Sequence, residues 1–367
     1  MSFLSERNAN RPSDDPIFAL NREATERRNK GESIVNATVG AMLEDDGSLA
    51  LLPSVVEAIR AVPAARAHAY APIAGAPEFL QAVMTDLLRD TPLASQACAV
   101  STPGGTGALR HAVSTFLGHG DALLTTSFYW GPYATICDEH ERRLRTFNMF
   151  DAAGGFDVAA LERGLAETAR EQSRLLVFLN DPCHNPTGYS MSEGEWADAA
   201  AVLAKAAAER PLAVLADIAY LAYSREGTRH FARHLAPLAE RALVLFAWSG
   251  SKAFSAYGQR VGALVACTAD AAARESIRNA LTYACRATWS NCPAAAQYAV
   301  ARCLTDETWK ARVDAERARL RDRLLARVDT FNTRALAAGL RFPRYDGGFF
   351  VTVFTANAPA AAARLRE

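Results

Sequence analysis

The middle of the chain alternates short apolar runs with longer amphipathic stretches. The short runs have the length of strands that are covered on both faces of a sheet. They predict strands over Ala97–Thr102, Ala122–Thr126, Leu175–Leu179, Leu212–Ala216, Leu243–Trp248 and Val261–Cys267. The stretches between them have a helical period and predict helices over Gly107–Leu117, Val158–Glu171 and Glu193–Glu209. This alternation indicates an α/β fold with a mostly parallel, doubly wound sheet.

Beyond the predicted sheet, a long amphipathic helix is predicted over Trp309–Ala338. Its apolar positions recur at steps of four or seven residues, with one step of three: Val313, Leu320, Leu324, Val328 and Phe331. Basic residues outnumber acidic ones on its other faces, so a helix that binds nucleic acid is the alternative to a solvated one. The segment Tyr345–Phe354, which contains Gly347 and Gly348, is predicted as a strand.

Composition narrows the class of protein. The 367 residues include 40 basic and 40 acidic side chains, and this balance argues against a nucleic-acid partner and favours the solvated helix. The 7 cysteines form no C-x-x-C pair, which indicates free thiols in a reduced compartment and no metal site. The polar segment 1–30 lacks the apolar core of a signal peptide, and no apolar run is long enough to span a bilayer. We therefore expect a cytoplasmic protein with no membrane partner.

Two of the candidate functional segments follow the first two predicted strands. Gly104-Gly105-Thr106-Gly107 opens a helix, where free backbone N–H groups and the helix dipole can bind a phosphate. A tight strand-to-helix turn is an equally good interpretation of these glycines. Trp130 follows the next strand and can stack on a planar ligand, although a tryptophan there is more often part of a core.

Three further segments follow later strands. The irregular loop from Asn180 to Gly188 contains two prolines and can hold Asn185 as an oriented donor or acceptor, or it is a plain turn. Asp217 ends a buried strand and Tyr220 follows it; the alternative for Asp217 is a helix N-cap. Lys252 follows Ser249, and Arg260 lies further on. If Lys252 is buried, burial lowers its pKa so that the neutral amine can form a Schiff base. Arg260 can bind a phosphate. The alternative for both is an ordinary surface position.

Together these segments predict one ligand site, because ligands of such sheets bind beyond the carboxyl ends of the strands. A phosphate-binding turn, a stacking ring, an acid, a phenol, a lysine and an arginine are the groups that hold pyridoxal 5'-phosphate (PLP). The order of the motifs then resembles the fold-type I, class I aminotransferases, in particular the aspartate/aromatic branch. The motifs, from about Val39 to Phe350, are Val39-Gly40-Ala41, Leu52-Pro53-Ser54-Val55, Tyr70-Ala71-Pro72-Ile73-Ala74-Gly75, Gly105-Thr106-Gly107-Ala108-Leu109-Arg110, Trp130-Gly131, His184-Asn185-Pro186-Thr187-Gly188, Asp217-x-x-Tyr220, Ser249-x-x-Lys252, Arg260-Val261-Gly262 and Arg286-x-x-x-Ser290-Asn291.

The resemblance implies the fold of the PLP-dependent transferases of fold type I. This fold has a mostly parallel central sheet with helices on both faces and a small α+β domain. Residues 1–46 would form an N-terminal arm and part of the small domain, and residues 47–308 the large PLP-binding domain. Residues 309–367 would form the connecting helix and the rest of the small domain, which we expect to be truncated.

The resemblance also implies roles for individual residues around PLP. Lys252 would form the internal aldimine and move the proton of the substrate Cα, and Asp217 would pair with the pyridine nitrogen. Asn185 and Tyr220 would hydrogen-bond the ring oxygen, and Trp130 would stack on the ring. The phosphate would be bound by the following residues: Gly105, Thr106, Ser249, Arg260 and, from the neighbouring subunit of a homodimer, Tyr70.

For the substrate, the resemblance implies contacts with Gly40, Trp130 and Asn185. Arg286 would bind the distal carboxylate of a dicarboxylic substrate across the dimer interface, which favours aspartate, glutamate and 2-oxoglutarate. Aromatic aminotransferases keep such an arginine, so aromatic donors are expected too. We therefore expect a PLP-dependent transaminase of amino acid metabolism, that is, a transferase of nitrogenous groups acting between an L-amino acid and a 2-oxo acid.

The chain departs from the family pattern at several positions. Gly104 stands where relatives often have serine, and Tyr133 and Asn180 each stand where relatives have a histidine near the ring. No residue matches the arginine that binds the substrate α-carboxylate. These departures leave a PLP-dependent lyase or decarboxylase as an alternative, and a PLP-sensing regulator as a remote one. The family pattern also predicts a cis peptide bond between Asn185 and Pro186.

Overall fold

The computed structural model describes residues 3–9, 11–12, 15–38, 40–225 and 229–367. Val39, the first residue of the family motif around Gly40, lies outside the described residues. Contacts divide the chain into two compact units, Met1–Leu49 and Ala50–Glu367. The domain boundaries given above differ from this division by contacts and stay a prediction.

The first unit contains one regular helix among its described residues. Helix α1 covers Pro16–Asn29, and the Asp15 side chain caps it by accepting hydrogen bonds from the first free backbone N–H groups. An isolated bridge joins Leu43 to Leu49.

The second unit is built on a seven-stranded sheet with the strand order β1-β7-β6-β5-β4-β2-β3. The strands are β1 Ala97–Pro103, β2 Ala122–Thr126, β3 Arg143–Phe147, β4 Leu175–Asn180, β5 Leu212–Asp217, β6 Leu243–Ser249 and β7 Val261–Cys267. Only β7 is antiparallel to its neighbours, β1 and β6, and the other pairs are parallel. The amino end of β7 therefore lies at the same edge of the sheet as the carboxyl ends of the other six strands.

Helices lie before, between and after the strands, and several of them pack on the sheet. They are α2 Pro53–Arg60, α3 Ala64–His68, α4 Pro77–Leu88, α5 Gly104–Phe116, α6 Pro132–Glu139, α7 Val158–Glu171, α8 Glu193–Glu209, α9 His230–Leu235, α10 Gly250–Ala253, α11 Ala271–Thr288, α12 Ala294–Thr305, α13 Glu307–Ala337 and α14 Ala358–Arg366. Helix α8 begins with a reciprocal capping box between Ser192 and Glu195. In the described part of the chain, no helix has the length and apolar character needed to cross a bilayer.

The core explains why the apolar runs form central strands. Every residue of β2, β4, β5 and β7 is buried. Phe178, Leu215, Leu245 and Leu264 come from four neighbouring strands and are completely buried in one cluster with apolar residues of α5. Burying one such side chain stabilises the fold by about 1.5–3 kcal/mol. This core fixes the strand ends whose side chains form the site.

The predicted strands and helices agree closely with the structure, except for the last predicted strand, and further helices such as α4, α11 and α12 were not predicted. Strand β3 was not predicted either, because it lies at the edge of the sheet, only Phe147 in it is fully buried, and its sequence has no apolar run. The predicted strand Tyr345–Phe354 is wrong: this segment makes one isolated bridge, between Arg341 and Phe354. Its glycines turn the chain instead, since Gly348 has a φ of +75°.

Candidate functional site

The sheet brings the predicted site residues of β1, β4, β5, β6 and β7 to one edge. In the register, Asn180 at the end of β4 lies beside Asp217 at the end of β5. Ser249 at the end of β6 pairs with Gly262 of β7, and Pro103 at the end of β1 pairs with Val261. Arg260 immediately precedes β7, so the antiparallel strand delivers its side chain to this same edge.

Glycines form a cup between β1 and α5. Gly104 has a φ of +72°, which suits glycine. A Cβ on Gly104 would lie 2.5 Å from Nη2 of Arg260, and one on Gly262 would lie 2.5 Å from the carbonyl carbon of Gly104. The first N–H groups of α5, at Gly104 and Gly105, have no partner within the helix. The cup therefore presents backbone donors and the positive end of a helix dipole to an anion.

Arg260 adds a fixed positive charge to the cup. Its Nη1 donates to Tyr257 O at 2.8 Å and to Ser251 Oγ at 3.2 Å, and its Nη2 donates to Pro103 O at 3.2 Å. The backbone of Arg260 is in the left-handed region, with a φ of 50°. A non-glycine residue there is strained, and such strain is common at ligand sites. Ser249 lies beside Gly105, because a Cβ on this glycine would be 3.8 Å from Ser249 Oγ.

Asp217 is a buried acid at the centre of the edge. Tyr133 donates to its Oδ2 at 2.6 Å, and the backbone N–H of Ala219 donates to its Oδ1 at 3.3 Å. Burial raises the pKa of Asp217 to about 6, although both hydrogen bonds and the charge of Lys252 oppose the rise. The carboxyl group is therefore mostly ionised at neutral pH and would gain from a cationic partner.

Lys252 lies on the short helix α10, which follows β6. Burial and the charge of Arg260 lower the pKa of Lys252 to about 8, while Asp217 acts in the opposite direction. Its Nζ lies 4.9 Å from the ring centroid of Tyr257, 5.4 Å from that of Phe349 and 5.5 Å from that of Tyr220. At neutral pH a useful fraction of this amine is unprotonated and can act as a nucleophile or base.

Tyr220 and Asn185 are neighbours beside the acid. Burial raises the pKa of Tyr220 far above its ordinary value of 10, and the Asn185 side chain acts in the opposite direction. The backbone N–H of Asn185 donates to Asn180 Oδ1 at 2.5 Å. The peptide bond between Asn185 and Pro186 is cis, which confirms the prediction, and the bond between Asp181 and Pro182 is cis as well.

The other predicted residues are half-buried or exposed. Trp130 is half-buried and meets Tyr133 edge to face at 5.9 Å between ring centroids. Tyr70 is 90 % exposed. Arg286 is exposed at the end of α11, where its Nη1 donates to Ser290 Oγ at 2.6 Å. Thr106 is exposed on the first turn of α5. Gly40 belongs to the first unit, and its place at the substrate stays a prediction.

Four residues near the site are not among the predicted ones: Tyr133, Asn180, Tyr257 and Phe349. In the sequence, Tyr133 and Asn180 stand out only as departures from the family pattern. The Tyr133 side chain donates to the Asp217 carboxylate, and the Asn180 side chain donates to the Asp217 backbone carbonyl. The Tyr257 ring lies beside Lys252 Nζ. Phe349 approaches Lys252 from a segment about 100 residues away in sequence, and the Gly347-Gly348 turn is the only local indication of it. No group of three potential metal ligands occurs among the residues that the structure describes.

The fold and this edge define a class of enzyme. A mostly parallel sheet with a half-buried lysine, a buried acid and an anion cup at its carboxyl edge is the arrangement of fold-type I aminotransferases. Comparison with known proteins agrees: the sequence model of the family described as aminotransferase class I and II matches residues 32–367. The chain belongs to this family, and it is an aminotransferase.

Relatives and solved structures support this assignment. The chain is 32 % identical over 347 residues to a tyrosine aminotransferase of Rhizobium meliloti (strain 1021), covering 90 % of this chain and 82 % of the relative. It is 30 % identical over 346 residues to the cytoplasmic aspartate aminotransferase of Gallus gallus, covering 88 % and 82 %.

Among solved structures, an aminotransferase from Anaerococcus prevotii DSM 20548 superposes with a TM-score of 0.94 at 30 % identity, over 100 % of this chain and 90 % of that one. An aromatic-amino-acid aminotransferase from Burkholderia pseudomallei, covalently bound to pyridoxal phosphate, superposes with a TM-score of 0.77 at 26 % identity, over 92 % and 84 %. The lyase, decarboxylase and regulator alternatives find no support in these relatives.

Proposed function

We propose that this aminotransferase moves the amino group of aspartate, glutamate or an aromatic L-amino acid to a 2-oxo acid such as 2-oxoglutarate. In this proposal its cofactor, PLP, is attached to Lys252. The observation that carries the proposal is the convergence of a half-buried lysine, a buried acid and a glycine cup at one sheet edge. Removing the lysine and the acid from water is costly unless their charges are paired.

The residues at this edge match the chemical groups of PLP. The cup at Gly105 and Thr106, together with Ser249 and Arg260, suits a phosphate. The buried carboxylate of Asp217 suits a protonated ring nitrogen, because within the described residues its hydrogen-bond donors, Tyr133 and the N–H of Ala219, are both neutral. Tyr220 and Asn185 together suit the ring oxygen, and Trp130 suits the ring face.

The chemistry divides between the cofactor and the chain. When bound, PLP supplies an aldehyde carbon that takes up amino groups and a ring that accepts negative charge from the substrate Cα. Asp217 holds the proton on the ring nitrogen by its negative charge, which makes the ring a better acceptor. Lys252 Nζ takes the proton from the substrate Cα and delivers a proton to the cofactor carbon that takes up the amino group. A pKa of about 8 suits both transfers near neutral pH.

The attachment of PLP to the cofactor-free protein should depend on pH through Lys252. Because the pKa of this amine is lowered to about 8, the neutral amine that reacts with the aldehyde increases as pH rises through about 8. We expect the attachment rate, followed by absorbance of the bound cofactor, to rise with a midpoint near pH 8. A midpoint near the ordinary lysine value of 10.5 would contradict the proposed environment of Lys252.

Substrate selection is proposed to come from Arg286 of a second subunit. Arg286 and Tyr70 are exposed, and Ser290 fixes the Arg286 side chain without neutralising it. A guanidinium held in one orientation suits a bidentate pair with a substrate carboxylate. We propose a homodimer in which each subunit contributes Arg286 and Tyr70 to the active site of its partner.

Arg286→Leu should therefore change the preference among amino donors. We expect kcat/KM for aspartate and glutamate to fall about 100-fold, because a charge-assisted contact is lost, and kcat/KM for phenylalanine to change little. The measurement is a donor screen of Asp, Glu, Tyr, Phe and Ala against 2-oxoglutarate. Arg278→Leu is the matched control, since Arg278 is exposed on the same helix and is paired with Glu275. Equal losses for all donors would contradict the assignment.

The sharing of sites can be tested with hybrid dimers. A hybrid of Lys252→Ala and Arg286→Leu subunits contains one site with both changes and one site with neither, if Arg286 crosses the interface. Mixing equal amounts should then restore about a quarter of the wild-type sites for glutamate. If Arg286 serves its own subunit, every site carries a change and mixing restores nothing.

A cytoplasmic location is part of the proposal. All seven cysteines are free and buried, which suits a reduced compartment. One relative is itself described as cytoplasmic.

A further inference from the structure

Tyr133 and Asn180 form a hydrogen-bonded support behind the acid of the site. We propose that Tyr133 is a positioning residue for Asp217, which fixes one carboxylate oxygen of the acid, and that Asn180 locks the acid's backbone to that of Asn185. This inference rests on the proposed role of Asp217 toward the cofactor. It concerns two residues at which this chain departs from its family pattern.

The protein supplies one hydrogen-bond donor to each oxygen of the Asp217 carboxylate. Tyr133 donates to Oδ2 at 2.6 Å, and the N–H of Ala219 donates to Oδ1 at 3.3 Å. One donor on each oxygen fixes the plane of the carboxylate and leaves lone pairs for a ring nitrogen. The short contact is typical of an O–H donor on an ionised oxygen.

Tyr133 is itself held rigidly. Its side chain is 1 % exposed, on helix α6. Its ring meets Phe178 edge to face at 5.3 Å and Trp130 edge to face at 5.9 Å between centroids. These two contacts hold the Tyr133 ring in one orientation, so its hydroxyl is directed at the Asp217 carboxylate. Because Trp130 is proposed to stack on the cofactor, Tyr133 connects this ring to the acid.

Asn180 supports the acid from the neighbouring strand. Its Nδ2 donates to the backbone carbonyl of Asp217 at 2.8 Å, and its Oδ1 accepts from the backbone N–H of Asn185 at 2.5 Å. Asn185 is a neighbour of Tyr220, whose pKa it lowers against the effect of burial. Asn180 therefore connects the residue proposed for the ring nitrogen to one of the two residues proposed for the ring oxygen.

The groups that support Asp217 do not exchange protons near neutral pH, although the pKa of Asp217 itself is about 6. The titratable groups that act on Asp217 are Tyr133 from α6 and Lys252 from α10, with Arg260 beside Lys252. Tyr220, after β5, acts on Tyr133, and Tyr257 and Cys183 act on Tyr220. Burial and the charge of Asp217 raise the pKa of Tyr133 well above 10, and Asn180 does not titrate. The support of the acid therefore stays the same while Lys252 changes its charge.

The test replaces Tyr133 with phenylalanine, which removes the hydroxyl and keeps the ring. Without its donor, the carboxyl of Asp217 should hold its proton to higher pH in the cofactor-free protein, measured by carbon NMR of labelled aspartate. The holoenzyme should lose PLP on dialysis with an affinity about 10- to 100-fold weaker than wild type. Tyr189→Phe is the matched control, because Tyr189 is also buried and donates to a carboxylate, that of Glu195, outside the site. It should retain PLP like wild type.

A second variant covers the case in which phenylalanine impairs folding. Tyr133→His can restore a donor but brings a group that titrates near neutral pH. We expect it to retain PLP near neutral pH better than Tyr133→Phe and to show an additional pH step in the absorbance of the bound cofactor. A wild-type pH profile in Tyr133→His would overturn the proposal, as would PLP retention and Asp217 titration in Tyr133→Phe equal to those of Tyr189→Phe.

Asp217→Asn separates this inference from the proposed function. If Asp217→Asn loses PLP while Tyr133→Phe keeps it, the inference fails and the role of Asp217 stands. If Asp217→Asn retains PLP like wild type, the proposed function fails at this residue and the inference fails with it. If both single variants lose PLP and the double variant loses no more than Asp217→Asn alone, Tyr133 acts through Asp217 as proposed.

Discussion

Lys252→Ala is expected to yield a folded protein that carries no covalently attached cofactor and transfers amino groups at least about 10⁴-fold more slowly than wild type. The loss is large because one amine serves both as the attachment point and as the group that moves the Cα proton. The measurement combines the absorbance of the bound cofactor with single-turnover conversion of the bound PLP to pyridoxamine phosphate by glutamate.

Two controls make this result specific. Lys205→Ala removes an exposed lysine that pairs with Glu162 at 2.6 Å and should leave the spectrum and turnover unchanged. Lys252→Arg keeps the positive charge but loses the nucleophilic amine, and should be as inactive as the alanine variant. An unchanged spectrum in Lys252→Ala would reject Lys252 as the attachment point.

Asp217→Asn is expected to lower kcat about 10²- to 10³-fold and to weaken PLP binding. Asparagine keeps the size of the side chain but cannot hold a proton on the ring nitrogen by its charge, so the ring accepts less negative charge from the substrate. The measurements are steady-state kinetics with glutamate and 2-oxoglutarate, and retention of PLP on dialysis.

Asp181→Asn is the matched control for this change. Asp181 is also a buried acid, and burial raises its pKa to about 7, but its oxygens accept from Trp196 Nε1 at 2.8 Å and from the N–H of Met191 at 2.7 Å. This variant should lose thermal stability, because asparagine has one acceptor oxygen for two buried N–H donors, and should retain PLP. Wild-type turnover in Asp217→Asn would show that the acid does not act on the cofactor.

The fold could be predicted closely where the strands are buried on both faces. The bounds of β2 and β7 and of helices α7 and α8 are those expected from the apolar pattern. The pattern does not contain strand direction, because an antiparallel strand in the centre of a sheet is as apolar as a parallel one. The placement of β7 between β1 and β6 is therefore a result of the structure.

Strand ends made the site partly predictable. Asp217, Ser249 and Arg260 each stand at the end of an apolar run, and the sheet brings such ends together. Tyr133 lies on a helix and Phe349 in a turn far along the chain, and packing alone brings them to the edge. No local pattern marks such residues, because their role depends on tertiary contacts.

Two departures from the family pattern, Tyr133 and Asn180, lie at the acid of the site. In the sequence they are only unusual residues at two positions. The structure gives them common partners, since one holds the Asp217 carboxylate and the other its backbone carbonyl. The roles of Tyr70 and Arg286 depend on a second subunit and stay proposals.

Lys252 as the attachment point of the cofactor can be tested directly, because the sequence has few lysines. They are Lys30, Lys205, Lys252 and Lys310. Borohydride reduction of the holoenzyme, followed by digestion and peptide mass spectrometry, fixes the cofactor on the amine that holds it. We expect the added mass on the peptide that contains Lys252 and on no other. Recovery of the mass on one of the other three lysines, or on none, would contradict this assignment.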